Sequence, residues 1–200
     1  KDPNIVTIND TYAYQTQDVY DFFRPDGTEF AIVDGKYSNQ MYKSMFTEVF
    51  NEYLIKSNTS LNNFEAIIFH TPYSKIGLRA LQLVASEDQN KELFNNLEYA
   101  TIYNKEIGNI YTGSLYLSLI SLLENKKLKP NSTIGLYSYG SGAVAEFYSM
   151  NVVSGYENHL NEKIHSSILN NRVELDIKTY EEFINHNKNK DQLLEVSDEP

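Results

Sequence analysis

The segment spanning residues 111–124 constrains the fold more than any other part of the sequence. Its apolar residues cover most of the circumference of a helix, and a helix that is apolar on nearly all sides must be buried. Its polar members are mainly small, because Ser114, Ser118 and Ser121 recur at i, i+4 and i+7 on one face. Such a stripe lets another helix approach closely, although a deep core helix with incidental serines would show the same pattern. The segment therefore predicts a deeply buried helix.

Strand and helix patterns alternate along the rest of the chain. Residues 66–69 form a short, continuous apolar run typical of a buried strand, and Pro72 ends it because proline cannot donate to a β-ladder. Residues 1–16 are polar and either loose or strand-like, and further β-like patterns lie at 30–33, 133–139 and 143–150. Helical patterns cover about 39–56, 74–86, 88–99, 156–170 and 178–187. Ser38 is the expected N-cap of the helix at 39–56. This interleaving predicts an α/β domain with a mixed sheet.

The totals argue against several classes of function. The chain has 200 residues and a formal net charge of −10, which suits one domain or two small ones and argues against a nucleic-acid surface of clustered lysine and arginine. No run approaches the ~18 apolar residues that a membrane span requires. Cysteine is absent, which removes disulfides, thiolate metal sites and cysteine nucleophiles. Without an export signal a cytoplasmic location is expected, and the acidic tail at about 188–200 is expected to fray.

His70 is the histidine whose position suggests chemistry. It directly follows an apolar strand and precedes a Thr-Pro turn, and strand ends are where α/β folds place reactive groups beside a cleft. From position alone, a structural histidine that caps the strand and a catalytic histidine both stay open. His159 and His165 lie six residues apart in a helical pattern, so they do not share a face that could chelate a metal. No metal site is predicted.

Two short segments could line a ligand site. Residues 108–113 open the buried helix, where free N–H groups and the helix dipole favour a carbonyl oxygen or oxyanion, so Asn109 is either an N-cap or a ligand to substrate. Residues 139–143 do not form a G-x-S-x-G motif around Ser141, and without a following lysine they are not a P-loop. They form either a hairpin that brings backbone close to a ligand or a plain tight turn.

Lys75 and Arg79 lie four residues apart on the helix predicted after His70, so they could share one face beside the cleft. On a chain with a net charge of −10, two such cations would suit a phosphate-bearing substrate. An exposed, solvated pair is the alternative.

Five segments occur in a recognisable order. They are Val-Tyr-Asp-Phe-Phe-Arg-Pro at 19–25, Ile-Val-Asp-Gly-Lys at 32–36, Phe-His-Thr-Pro-Tyr-Ser-Lys-Ile-Gly at 69–77, residues 108–123, and residues 135–147. The most specific combination is Gly-Asn-Ile-Tyr-Thr-Gly-Ser-Leu-Tyr followed by Tyr-Gly-Ser-Gly-Ala. From about Tyr14 to about Tyr180, the chain resembles the hydroxymethylglutaryl-CoA synthases of the bacterial mevalonate pathway.

This resemblance implies a thiolase fold. In that fold two similar α/β halves each carry a mixed five-stranded sheet with helices on both faces, and the halves stack in five layers. By resemblance, residues 1–200 form the second, C-terminal half together with a leading segment at 1–35. The helix predicted at 111–124, with its serine stripe, would lie in the middle layer against the matching helix of the other half.

The resemblance also implies a reaction. In the family, acetyl-CoA acylates a cysteine, a glutamate removes a proton from the acetyl methyl group, and the carbanion attacks the ketone of acetoacetyl-CoA. Water then frees 3-hydroxy-3-methylglutaryl-CoA. His70 would polarise the acetoacetyl-CoA carbonyl by donating a hydrogen bond where negative charge grows. The other residues that the resemblance assigns to substrate binding are Asn109, Ser141, Lys75, Arg79, Asp21, Phe22 and Tyr111.

The family's cysteine and glutamate belong to the first half, and Ser141 is a poor substitute nucleophile because no neighbouring base is evident. We therefore expect the isolated chain to be inactive. Its expected partners are the N-terminal half of the same enzyme and a second copy in a homodimer, with CoA thioesters as substrates and no further cofactor. Two alternatives stay open: a synthase that branches polyketides on carrier-protein substrates, and a non-catalytic module that keeps the fold for binding.

Overall fold

The computed structural model describes residues 2–188, so most of the predicted acidic tail at 188–200 lies outside the described residues. The chain divides into two compact units, Lys1–Glu162 and Lys163–Pro200. The first unit contains the sheet. Six strands lie within the described residues: β1 (Val6–Thr16), β2 (Phe22–Phe23), β3 (Ile32–Val33), β4 (Ala66–Phe69), β5 (Thr133–Gly140) and β6 (Val144–Val152).

The main sheet is mixed, as predicted, but it has four strands and not five. Its order is β1-β6-β5-β4, with β4 parallel to β5 and the other neighbours antiparallel, while β2 and β3 pair separately. The expectation of five strands is wrong for the described residues. A helix, Lys91–Ala100, packs against β4 where a further strand could pair. Its buried Asn96 donates a hydrogen bond of 2.7 Å to the Glu65 carbonyl just before β4, which satisfies that one main-chain acceptor.

Helices account for most of the remaining chain that the structure describes. They are α1 (Gly35–Ser57), α2 (Ile76–Leu81), α3 (Lys91–Ala100), α4 (Ile102–Ile107), α5 (Gly113–Asn125), α6 (Glu162–Asn170) and α7 (Ile177–Lys188). Helix α1 begins earlier than predicted because its N-cap is Asp34 and not Ser38. The Asp34 carboxylate accepts a hydrogen bond of 3.0 Å from the Tyr37 N–H, which satisfies one of the free donors of the first turn.

Other helices also differ from those predicted. Helix α2 ends at Leu81, far short of 86, and the Asn90 side chain accepts a hydrogen bond of 3.2 Å from the Ser86 N–H in the turn that follows. Helix α4 has no counterpart in the prediction. The helix predicted at 156–170 is a short 3₁₀ turn at Tyr156–His159 followed by α6. Side-chain bonds to nearby backbone, such as that of Asn90, stabilise turns, and apolar periodicity does not report them.

The sheet separates two apolar cores, as the alternation of strand side chains requires. The core on the α1 side contains Ile67 and Phe69 of β4 together with Tyr137 and Phe147 of the neighbouring strands. The core on the α5 side contains the alternate residues Ala66, Ile68, Ile134, Leu136 and Met150 with leucines of α5. Helices therefore cover both faces of the sheet, as predicted.

Helix α2 approaches β4 at Gly77. A Cβ atom at this position would lie 3.1 Å from the Phe69 ring, which is closer than ordinary van der Waals contact. A larger residue would push α2 away from the residue that precedes His70. This glycine therefore sets the spacing between α2 and the end of β4.

Helix α5 buries its serine stripe inside this unit. Ser118 donates to the Phe69 carbonyl at 3.3 Å, and Ser121 donates to the Tyr99 carbonyl at 2.6 Å. The stripe therefore faces α3, α4 and the end of β4 within the same chain. The opposite side of α5 is not buried, since Tyr116 is 47% exposed. Tyr12 and Tyr14 of β1, which lie on the α5 face of the sheet by strand alternation, are also exposed.

The second unit is helical in its described part. Helix α7 starts after Asp176, whose side chain accepts a hydrogen bond of 2.7 Å from the Thr179 N–H. Within residues 2–188, no helix combines the length and apolar character that crossing a membrane requires.

Candidate active site

Five stretches that are far apart in sequence meet around one cavity of about 630 Å³. They are the leading segment, the start of α1, the loop after β4, the turn before α5 and the loop between β5 and β6. Among the predicted site residues, Phe22, His70, Asn109, Tyr111 and Ser141 line this cavity. Asp21, Lys75 and Arg79 do not line it. The cavity therefore brings together side chains from residues 108–113, from residues 139–143 and from the end of β4.

His70 leaves the sheet at the end of β4, where main-chain hydrogen bonds hold it. Its N–H donates to the Tyr137 carbonyl at 2.8 Å, and its carbonyl accepts from the Tyr42 hydroxyl at 2.7 Å. Burial lowers the pKa of the imidazole below its ordinary value of 6.5, because the charged ring would lose hydration. At neutral pH the ring is therefore uncharged and can donate one N–H hydrogen bond.

Asn109 opens the turn that leads into α5. Its side-chain oxygen accepts hydrogen bonds from the Tyr111 N–H at 2.8 Å and from the Ser114 hydroxyl at 3.3 Å. Both lone-pair directions of that oxygen are therefore used within the turn. The amide nitrogen remains as the group that Asn109 can offer to a molecule in the cavity, and it can only donate. Asn109 is not the N-cap of α5, because that position is Thr112.

Tyr111 lies in the same turn with a left-handed backbone. Its φ is 54°, which is uncommon and costly for a bulky residue. The Tyr111 N–H is bonded to Asn109, while its ring is 70% exposed at the cavity. The strained conformation thus places an aromatic ring at the edge of the site without burying it in a core.

Asp21 lies next to the cavity, and its carboxylate accepts hydrogen bonds from four neighbouring groups. The residue is fully buried, and one carboxylate oxygen accepts from the hydroxyls of Ser38 at 2.8 Å, Ser141 at 2.9 Å and Tyr139 at 3.0 Å. The other accepts from the Gly142 N–H at 3.1 Å. Burial alone would raise the pKa of this carboxyl, but the four hydrogen bonds together outweigh it and lower the pKa below 3.8.

This network bears on what Ser141 can do. The sequence shows no base near Ser141, yet the structure places a carboxylate 2.9 Å from its hydroxyl. A carboxylate whose pKa is lowered, however, is too weak a base to activate a serine hydroxyl. Because the proton of Ser141 is directed to Asp21, its hydroxyl oxygen turns lone pairs, and not a hydrogen, toward other groups. That Ser141 is a poor nucleophile stays a prediction, but its reason changes: a carboxylate is close to the hydroxyl and is a weak base.

Lys75 and Arg79 lie on the exposed side of α2 and its start. The Arg79 guanidinium is 5.9 Å from the centre of the Tyr73 ring, and it donates to the Tyr73 hydroxyl at 3.4 Å. Tyr73 itself lines the cavity and donates to Asn39 at 2.6 Å. Arg79 therefore meets the site through Tyr73. The binding roles that the resemblance gives to both cations stay predictions.

Several side chains that shape the site have no role in ligand binding predicted from the sequence. The residues of this kind that line the cavity are Ser38, Asn39, Tyr42, Tyr73 and Tyr139. Tyr42 fits the apolar periodicity of α1, because such periodicity depends on its ring and not on its hydroxyl. Asn39 and Ser38 lie in the first turn of a helix, where polar residues are common for local reasons. No sequence signal separates these positions from ordinary helix-start residues.

The comparisons with known proteins agree with this architecture. The family model for the C-terminal part of hydroxymethylglutaryl-coenzyme A synthase matches residues 6–100 and 79–199. The hydroxymethylglutaryl-CoA synthase of Enterococcus faecalis is 43% identical over 184 residues, which cover 90% of this chain and 48% of that protein. A crystal structure of HMG-CoA synthase complexed with CoA superposes with a TM-score of 0.86 at 38% identity, covering 91% of this chain and 48% of that one.

A third relative is similar in fold alone. The HMG synthase of the curacin biosynthetic pathway has a TM-score of 0.82 at 24% identity, with 93% of this chain and 48% of that chain covered. The fold is thus thiolase-like, with a mixed sheet and helices on both faces. The chain belongs to the hydroxymethylglutaryl-CoA synthase family and matches its C-terminal part. It spans about half the length of the relatives that it matches.

Proposed function

We propose that this chain forms the His70, Asn109 and Ser141 side of the active site of a hydroxymethylglutaryl-CoA synthase. The reaction is the condensation of acetyl-CoA with acetoacetyl-CoA to 3-hydroxy-3-methylglutaryl-CoA, in the mevalonate route to isoprenoids. The observation that carries the proposal is that these three side chains, which come from three distant parts of the sequence, line one cavity. Membership of the family supports the same reaction.

His70 acts on the ketone of acetoacetyl-CoA. A neutral imidazole at the end of β4 donates its N–H to the ketone oxygen and stabilises the negative charge that develops there when a carbanion attacks the carbon. The lowered pKa of the ring supports this role, because burial favours the uncharged form of the imidazole. The hydrogen bonds from Tyr42 and to Tyr137 hold the backbone of His70 during the step.

Asn109 and Ser141 also bind the substrate, one as a hydrogen-bond donor and the other as an acceptor. The Asn109 amide nitrogen donates to a carbonyl oxygen of the acyl group, while the Ser141 oxygen accepts from a donor such as an amide or hydroxyl of the substrate. Asp21 acts by orienting Ser141 and Tyr139 from below. Phe22 and Tyr111 supply apolar contact to the acyl chain, and Lys75 and Arg79 contact the phosphates of CoA outside the cavity.

A first half of the enzyme supplies the cysteine nucleophile and the glutamate base. The exposed aromatic residues Tyr12, Tyr14 and Tyr116 on the α5 face of the sheet support this partner, since such residues favour contact with another protein surface. A homodimer of the two-half enzyme is the proposed assembly, in the cytoplasm. The chain alone is then inactive, because its sequence has no cysteine to form the acyl-enzyme.

Binding of acetoacetyl-CoA tests the site on this chain directly. Titration calorimetry should give a weaker affinity for His70→Ala and Asn109→Ala than for the unchanged chain. His159→Ala, which alters an exposed histidine away from the cavity, is the matched control and should leave the affinity unchanged. Equal affinity in all four proteins would contradict the proposed site.

Turnover tests whether the first half supplies the cysteine and the glutamate. The chain should release CoA from acetyl-CoA and acetoacetyl-CoA only when the first half of the Enterococcus faecalis relative is added or fused to it. Turnover by the chain alone would refute the missing-nucleophile proposal. Replacing acetoacetyl-CoA by an acetoacetyl carrier protein tests the polyketide alternative, and activity only with the carrier would favour that alternative. Failure to bind or react even with both halves present would favour a non-catalytic module.

A further inference from the structure

The orientation of the Asn109 amide is set by its partners. The Tyr111 main-chain N–H lies 2.8 Å from the atom that faces it, and an N–H can only donate. The facing atom is therefore the amide oxygen, so the nitrogen points the other way. The Ser114 hydroxyl donates to the same oxygen at 3.3 Å. Among residues 2–188, the nitrogen of Asn109 has no hydrogen-bond partner in the protein.

Ser114 is itself held in place on every side. It is fully buried, and its hydroxyl oxygen accepts from the Ile110 N–H at 3.0 Å. Its single hydroxyl hydrogen is then left for Asn109. The main-chain carbonyl of Ser114 accepts from the Asn104 side chain at 3.1 Å. The Asn104 contact holds the backbone of Ser114, and the Ile110 N–H holds its hydroxyl oxygen, so Ser114 offers Asn109 a donor in one direction.

We infer that Ser114 is a positioning residue that orients the Asn109 amide so that its nitrogen is presented to the cavity. The inference deepens the proposed function and rests on it, because it assumes that Asn109 binds the acyl group. An amide that rotated by a half-turn would offer oxygen instead of N–H and would repel a thioester or ketone oxygen. Ser114 thus adds a second donor to that of the Tyr111 N–H, and the two together favour a hydrogen-bond acceptor as the ligand of Asn109.

The orientation is measurable in the 200-residue chain without any ligand. In a ¹⁵N-labelled sample, the side-chain amide resonances of Asn109 are assigned by their loss in Asn109→Asp. We expect Ser114→Ala to shift or broaden these resonances, because the amide loses one of two donors to its oxygen. Ser121→Ala is the matched control: Ser121 is a buried serine on the same face of α5 that donates to Tyr99, and its change should leave the Asn109 resonances in place.

Affinity for acetoacetyl-CoA shows whether Ser114 acts through Asn109. Ser114→Ala should weaken binding by about five- to tenfold when Asn109 is present and should cause no further loss in an Asn109→Ala background. A general structural effect would instead give the same loss in both backgrounds. Asn109→Asp is a second variant that keeps both donors to its side chain satisfied, and it should weaken binding more than Asn109→Ala because it places a carboxylate oxygen against the ligand oxygen.

The outcomes separate this inference from the proposed function. Unchanged Asn109 resonances in Ser114→Ala, or equal affinity losses in the two backgrounds, would overturn the positioning role. Absence of acetoacetyl-CoA binding by the unchanged chain, with the Asn109 resonances still displaced in Ser114→Ala, would refute the proposed function while supporting the orientation of the amide.

Discussion

The hydroxyl of Tyr42 on α1 donates a 2.7 Å hydrogen bond to the main-chain carbonyl of His70. The Tyr42 carbonyl accepts in turn from the Tyr137 hydroxyl at 2.9 Å, so helix, strand end and neighbouring strand are joined at one point. Burial raises the pKa of Tyr42 well above 10.0, which keeps the hydroxyl protonated as a donor. This contact ties the position of the candidate catalytic histidine to the first turns of α1.

Replacing Tyr42 by phenylalanine tests that contact. Tyr42→Phe leaves the buried ring but removes the donor to His70, so we expect the free energy of unfolding to fall by about 1–3 kcal/mol. The affinity for acetoacetyl-CoA should also fall, because the end of β4 is less well held. Urea denaturation and calorimetry measure the two effects. Tyr53→Phe is a matched control on the same helix: it removes a 2.7 Å bond to Ser149 away from the cavity and should lower stability alone.

Removing the charge of Asp21 should destabilise the hydrogen-bond network next to the cavity. In Asp21→Asn, one acceptor oxygen becomes an NH₂ group that faces either three hydroxyl donors or the Gly142 N–H. We expect a loss of about 2–4 kcal/mol in the free energy of unfolding, because buried donors are left unsatisfied. Thermal and urea denaturation measure this loss. The exposed Asp18→Asn, three residues earlier, should change stability little, and an equal effect of both variants would contradict the role of the network.

The pH dependence of stability should report the burial of His70. Its folded pKa lies below the ordinary value of 6.5, so below pH 6.5 the unfolded chain takes up a proton on this residue more readily than the folded chain does. The contribution of His70 to stability is therefore complete above pH 6.5 and is lost as the pH falls through the folded pKa. Urea unfolding at several pH values measures it as the difference between the unchanged chain and His70→Gln. A difference that does not vary with pH would argue against a buried, neutral imidazole.

The left-handed backbone at Tyr111 predicts that a glycine variant is more stable than an alanine variant. Glycine adopts a φ of 54° without strain, whereas alanine does not. Tyr111→Gly should therefore be more stable than Tyr111→Ala by about 1 kcal/mol. Both variants remove the exposed ring, so both should bind acetoacetyl-CoA less well than the unchanged chain. Equal unfolding free energies of the two variants in urea would show that the turn carries no strain.

Much of the architecture could be predicted from local patterns. The run at 66–69 and the periodicity of α1 and α5 follow from side-chain spacing over a few turns or residues, and the structure confirms these elements. The position of His70 at a strand end follows from the same local reasoning. Element ends were less predictable, because Asp34 caps α1 and Asn90 bonds to Ser86 through side chains that periodicity does not record.

What the sequence determined by itself is a set of elements, their apolar faces and a family resemblance, because each depends on residues close together in the chain or on their order. Only the tertiary structure decided the four-stranded sheet and the carboxylate beneath Ser141. Asp21 and Ser141 are 120 residues apart, and no local pattern encodes a hydrogen bond between them. Such a contact exists only because packing of α1 and the sheet closes the chain around the cavity. The chemistry of the site therefore depends on long-range closure, whereas its parts are specified locally.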